Sequence, residues 1–422
     1  MIFSLDVRRA RKGDCLLLHY GTKNDPGLVL IDGGPSKVYK PFLKPRLTTI
    51  RQKRNIPPQD ALPVNLLMVS HIDDDHIKGI LELTTELVEA TKELKPISVD
   101  IQGLWHNSFD KIIGNSPKEL LASVTASFGA AALSDEPDAD GIAPETAMVL
   151  ASVAQGFQLR DDAKVLELDV NDAVGGKLLL ATAKSKALDM DKGLTFTIAG
   201  PMQAEVKKLQ EEHDKFLKAK KKAKKKPTSA LAAFSDESVA NLSSIVVLAK
   251  VGQKSMLLTG DARGDKILQG LELTGLVKKG GKLHVDILKG PHHGSDRNVE
   301  PVFFRRITAD HYVFSGNGEH GNPERETLQM VLDERAEDSY KVHLTYPIDE
   351  IDVGRKADWE KEQAKEKAKK KKKPATKVRP NWNPKKHSLA ALLEDNPAFA
   401  DKVVIVSDTD PHVIDLLDKL GF

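Results

Sequence analysis

An α/β fold is what the sequence predicts, and three observations carry it. The N-terminal stretch alternates short apolar runs with turn-rich segments, the pattern of consecutive antiparallel strands. In four places an apolar strand runs directly into a loop rich in Asp, His or Gly. After the first of the polar clusters, Gly79–Glu93 spaces its apolar residues at helical intervals.

Taken in order, Ile2–Val7, Cys15–Tyr20 and Leu28–Ile31 are the first three strands, divided by RRARKGD and GTKNDPG, and the third ends in Asp32-Gly33-Gly34-Pro35. Leu66–Ser70 is a compact buried strand that opens onto the polar cluster at 71–76. Residues 111–160 read as largely helical, with the loop SDEPDADGIAPE among them. The β pattern returns at Leu242–Lys250 and Ser255–Leu258, a hairpin that ends in Thr259-Gly260-Asp261. His284–Leu288 leads into Lys289-Gly290-Pro291-His292-His293-Gly294-Ser295, and His311–Ser315 into Gly316-Asn317-Gly318. At the C-terminus, Lys402–Ser407 reads as a strand and Pro411–Leu420 as a short helix, both expected to pack back on the core. No internal repeat is found.

The chain has 422 residues, enough for roughly two to three domains at ~150 each or for one elaborated α/β domain. A hydrophobic fraction of 40% excludes a wholly disordered chain. Cys15 is the single cysteine, which excludes a disulfide-stapled module and a cysteine zinc cage. The apolar N-terminal stretch is too short for a signal peptide, and no window approaches ~18 uninterrupted apolar residues, so a cytoplasmic protein without membrane contact is expected.

The net charge of +2 hides a segregation. Residues 206–226 sum to +7 and residues 359–377 to +6, so the rest of the chain stands at −11. Both Lys-rich arms are low in complexity, have no repeating apolar stripe and end at prolines, so they read as insertions. Such blocks are ordinarily solvated. The functional alternative is contact with a polyanion such as nucleic acid, made to backbone phosphate because few aromatics lie among the lysines.

Chemistry concentrates in Ser70-His71-Ile72-Asp73-Asp74-Asp75-His76-Ile77-Lys78-Gly79. Two imidazoles and three carboxylates within six residues repel and lose hydration unless a cation joins them. The N-terminus of the following helix adds a positive dipole near the carboxylates. Two distant loops supply what such a site lacks: Asp261, suited to bridge two ions, and His292 with His293, suited as terminal nitrogen ligands. Bridged cations ~3.5–4 Å apart bind a shared hydroxide and clamp a displaced group, which is metal-assisted hydrolysis.

These stretches resemble the metallo-β-lactamase-fold hydrolases, and most closely the soluble hydrolase domain of ComEC-type DNA-uptake proteins. The similarity is carried by GDCLLLHYG with LVLIDGG, SHIDDDHIKGI, LLTGDA, ILKGPHHGS and FSGNGEHGNPERETL, in that order. It covers residues 1–335, interrupted by insertions at about 107–160 and 205–235; residues 336–422 form a C-terminal extension. The resemblance implies an αββα sandwich with helical and Lys-rich insertions and with two divalent metals at one edge between the sheets. It implies that His71 and Asp73 hold one metal and Asp75 and His76 the other, that Asp261 bridges them, that His292 and His293 complete the shells, and that Asp32 steadies the ligand loop. Asp75, Asp261 and His293 take the catalytic positions.

Where the family has HxHxDH this chain has HxDxDH, so Asp73 replaces an imidazole; the harder site suits Mn or Fe nearly as well as Zn. His106 and His213, the latter inside the first Lys-rich arm, are available as an additional middle ligand; His106 is the better candidate, with a capping or core role as its alternative. Asn322-Pro323 stands where the family has His-Pro, which leaves His320 as a candidate substrate contact. His19 and His343 read as structural. The expected activity is phosphodiester hydrolysis, of nucleic acid or nucleotide, through a metal-bridging hydroxide. The alternatives are hydrolysis of an acyl ester, lactone or thioester on the same fold, or a non-catalytic metal-binding scaffold that recruits a polyanion.

Overall fold

In the computed structural model, which describes residues 1–108, 144–207, 243–406 and 411–422, two mixed sheets carry the fold. The first contains β1 (Ile2–Val7), β2 (Leu16–Gly21), β3 (Pro26–Ile31), β5 (Leu66–Val69), β7 (Leu104–His106) and β16 (His412–Asp415), in the order β16-β1-β2-β3-β5-β7. Strands β1 to β3 are antiparallel, as their spacing predicts, and β3, β5 and β7 are parallel. The second sheet runs β15-β14-β13-β12-β11-β10-β9-β8. Its members are β8 (Leu188–Asp189), β9 (Leu194–Gly200), β10 (Val246–Val251), β11 (Lys254–Leu258), β12 (Leu283–Lys289), β13 (Ile307–Phe314), β14 (Lys341–Leu344) and β15 (Val403–Ile405). The hairpin β10–β11 is antiparallel, and β11 to β15 are parallel. A small parallel pair joins β4 (Leu62–Val64) to β6 (Val99–Ile101).

The period of two along each strand sorts side chains into three cores. Phe3, Leu5, Leu18, Val29 and Met68 of the first sheet meet Phe196, Val247, Met256, Ile287 and Val313 of the second. The residues between them face outward: Leu28, Leu30, Leu67 and Val69 pack under α1 (Lys44–Lys53), α2 (Asp74–Lys92) and α3 (Pro144–Val165). On the far side, Leu257, Val285 and Tyr312 pack under α4 (Gly264–Leu273), α5 (Pro301–Arg306) and α6 (Arg325–Arg335). The layers are therefore helix, sheet, sheet, helix. No described helix is long and apolar enough to cross a membrane.

His19 and His343 are buried, and His343 is the middle of a relay that ties the sheets together: His311 Nδ1 to His343 Nε2 is 2.9 Å, and His343 Nδ1 to His412 Nε2 is 2.8 Å. Burial pushes the His343 pKa down to about 3.

The second Lys-rich arm is helical, within α7 (Ile348–Lys372), and is followed by α8 (Pro384–His387) and α9 (Leu389–Asp395). One expectation is corrected. Residues 412–415 form a strand and not part of a helix, because the β-branched pair Val413 and Ile414 finds the open edge of β1, where Leu5 pairs with Ile414. Most of the first Lys-rich arm, with His213, and most of the SDEPDADGIAPE loop lie outside the described residues.

Candidate metal centre

The seven side chains named as metal ligands, with Asp32, sit at one edge, and the strand polarity is the reason. The parallel strands β3, β5, β11, β12 and β13 present their carboxyl ends there, the place where open α/β sheets collect their ligands. Asp32 follows β3, His71 follows β5, Asp261 follows β11, and His292 and His293 follow β12. The turns are tight: Asp32, His292 and His293 have φ of 55°, 45° and 55°, a strained region for residues with a side chain. Backbone contact closes the corner between β3 and α2. Gly33 N–H donates to His76 O at 2.8 Å, and Gly79 N–H to Gly34 O at 2.9 Å.

Asp261 is buried at the centre, and its two oxygens face different partners. Oδ1 lies 3.3 Å from His76 Nε2 and 3.3 Å from His293 Nε2. Oδ2 lies 3.7 Å from His71 Nε2 and 3.5 Å from His292 Nε2. Asp73 Oδ2 is 3.5 Å from His71 Nε2, and Asp75 Oδ2 is 3.6 Å from His293 Nε2. Asp261 thus turns Oδ2 to His71 and His292 and Oδ1 to His76 and His293, while the ligand atoms of His71, Asp75 and His76 also lie within 4.8 Å of one another. All seven residues singled out as ligands are brought together.

Each half has a buried support for one imidazole. Asp32 Oδ2 is 2.8 Å from His76 Nδ1, and Asp32 in turn accepts from Ser70 N–H and Ser70 Oγ, each at 2.7 Å. His293 is held similarly: its Nδ1 lies 3.1 Å from Ser315 Oγ and 3.4 Å from Asp14 Oδ1, and the Ser315 hydroxyl donates to Asp14. Lys289 Nζ sits 2.8 Å from Asp14 Oδ2, and both side chains are buried. A carboxylate on the remote ring nitrogen fixes the tautomer and aims the other nitrogen into the cluster.

Asp14, Lys289 and Ser315 were not singled out from the sequence. Asp14 lies within 4.8 Å of the other three members of the group Asp14, His76, Asp261 and His293. It meets His293 at Nδ1, opposite the nitrogen that faces Asp261, which is the position of an orienting carboxylate. It comes just before β2, whose start lies beside the end of β3 through the pair Leu16 and Ile31. His106 is buried at the end of β7, its backbone held by Asn171, and it belongs to none of the three groups of close ligand atoms among the described residues.

The electrostatics fit a cation. Burial would raise the carboxylate pKa values, but the surrounding imidazoles hold Asp261 and Asp75 well below the usual range, and Lys289 with His293 does the same for Asp14. Burial works against charge on His293, yet Asp261 and Asp14 raise it to about 10, and His76 is raised by Asp261 and Asp32. Two buried polar atoms, His71 Nε2 and Asp261 Oδ1, make no hydrogen bond. Orphaned atoms of that kind cost free energy unless something else binds them. Ligand atoms 3.3–3.7 Å apart are spaced as neighbours around a shared ion are, each bonded at about 2.0–2.2 Å. The buried His and Asp group can hold a metal ion.

No family model matches the chain. Microtubule-associated protein 1A of Rattus norvegicus is 34% identical over 87 residues, which covers 19% of this chain. The chain spans only 3% of the length of that relative, too little to show a family.

Proposed function

We propose that the protein is a metal-dependent hydrolase of the metallo-β-lactamase fold, similar to ComEC-type hydrolase domains, that acts on phosphodiesters with two divalent ions. The observation that carries this reading is the division of labour on Asp261, whose Oδ1 and Oδ2 each face a separate pair of imidazoles. A carboxylate set between two pairs of imidazoles would suit a dinuclear centre. His71, Asp73 and His292 would hold one ion and Asp75, His76 and His293 the other. Ligands rich in carboxylate as well as imidazole suit Mn or Fe as well as Zn.

When bound, the two ions supply an activated water and charge stabilisation of the displaced group. The chain supplies orientation. Asp32 and Asp14 lock the two deepest imidazoles, and Lys289 offsets the charge of Asp14. His293, or else a water on the ions, is the candidate to protonate the leaving oxygen. With Nδ1 held by Ser315 and Asp14 and Nε2 turned to Asp261, it is better suited as a ligand. The proton has to enter from the open side of the cluster, where Asp73, Asp75 and His292 keep 30%, 20% and 20% of their side-chain surface in solvent.

The test is hydrolysis of bis(p-nitrophenyl) phosphate with Mn or Zn, beside a simple lactone. Phosphodiester turnover that disappears in Asp261→Asn with the fold intact supports the reading. Turnover of the lactone alone refutes the phosphodiester assignment, and retained turnover in Asp261→Asn refutes the centre.

A further inference from the structure

The C-terminal extension assembles a second chemistry-bearing surface. From 361 to 373 the chain carries eight lysines against two glutamates, and the five lysines at 369–373 are all exposed. Trp359 lies just before them on α7. Beyond Pro374 the chain turns back and lays Trp382 and His387 against it. Trp359 stacks on His387 with centroids 4.3 Å apart, and Trp382 stands 5.9 Å from Trp359 and 5.3 Å from His387. Arg355 lies 5.6 Å over Trp382, and Arg379 lies 5.1 Å over Trp359. None of the three rings is fully buried, and Lys385 and Lys386 beside them are exposed. An arm that looks poor in aromatics in the sequence is thus given an aromatic platform by the fold.

The platform is fixed to the loop that follows β13. Arg355 donates to Gly321 O at 3.1 Å and to His387 O at 2.6 Å. A Cβ on Gly354 would lie 2.5 Å from Asn317 O, so the start of α7 touches the loop that follows Ser315, the partner of His293. From there the helix carries its lysines outward at about 1.5 Å per residue.

We infer that this surface binds single-stranded nucleic acid, with phosphates on the lysines of α7 and bases against the tryptophan and histidine rings. Charge alone would accept any polyanion. The half-exposed rings and guanidinium planes add what only a polymer of flat, unstacked rings can use, and a duplex keeps its rings stacked inside. The inference names the polymer that the proposed hydrolase would cut, and rests on that reading for the cutting only.

Binding is therefore measured on full-length Asp261→Asn protein without added metal. The probes are an oligothymidylate of about twenty nucleotides, longer than the ~4–16 that one such platform covers, a duplex of equal length, and an abasic phosphodiester of equal length. The oligothymidylate should bind about tenfold tighter than either alternative and quench tryptophan fluorescence. Replacing Lys369 to Lys373 by Gln, on an exposed helix end that the fold does not need, should weaken binding of all probes and flatten the salt dependence. Trp382→Ala should lower affinity for the oligothymidylate by about tenfold and leave the abasic strand unchanged, and Trp382→Phe should retain most of it. Equal affinity for the abasic strand without quenching, a preference for duplex, or no binding overturns the inference. Wild-type protein that binds the oligothymidylate but leaves it uncut with Mn or Zn would instead refute the hydrolase reading.

Discussion

The ammonium of Lys289 lies 2.8 Å from the carboxylate of Asp14, and both side chains are closed to solvent. Breaking a buried pair leaves an uncompensated charge, which costs about 3–5 kcal/mol. Lys289→Met should therefore destabilise the protein by about that amount in denaturant unfolding. Asp14→Asn should be milder, because Lys289 also donates to Gly290 O, and the double variant should recover part of the Lys289→Met loss.

Asp32 offers a test of support without ligation. Its bond to His76 Nδ1 fixes which ring nitrogen faces Asp261. Asp32→Asn should lower metal affinity by about 10–100-fold, the usual effect of losing such a partner. Calorimetric titration with Mn or Zn measures it.

The metal-free protein should show a particular dependence on pH. His293 is raised to about 10 and His76 is also raised, so their stabilising contribution is complete below the ordinary histidine value and lost as pH rises through the raised one. Asp14, Asp75 and Asp261 are depressed, so their contribution is complete above about 4 and lost as pH falls below it. Chelated protein should thus be most stable between about pH 4 and 6.5 and lose several degrees of melting temperature toward pH 10. Metal-loaded protein should gain over that upper range, since cations displace the imidazole protons. Melting curves with chelator and with Mn distinguish the two.

The corner between β3 and α2 leaves no room for a side chain. A Cβ on Gly79 would lie 2.0 Å from Gly33 O. Gly79→Ala should cost about 1–3 kcal/mol through overpacking and also lower metal content, because it pushes His76 away from Asp32. Parallel unfolding and elemental analysis would register both.

Much of the site was legible because its residues cluster or end apolar runs. His71 to His76 gather five polar residues in a span of six, and Asp261, His292 and His293 each follow a strand in a Gly-containing loop. Asp14 was not, because it precedes its strand and reaches the edge only through the antiparallel pairing of β2 with β3. Lys289 and Ser315 end strands as ordinary polar residues do, and only the convergence of β12 and β13 on Asp14 gives them meaning. The strand at 412–415 was missed for a similar reason, since its partner β1 lies at the other end of the chain. Local pattern found the elements, and pairing across long separations decided their neighbours.

Asp261 is proposed to join two metal positions. Elemental analysis of purified protein after loading with Mn or Zn and removal of excess tests it most directly. Wild-type protein should hold about two ions per chain, and Asp261→Asn should show a marked loss with the fold retained. A protein that stays folded and binds no ion, or an Asp261→Asn variant with undiminished metal content, would contradict it.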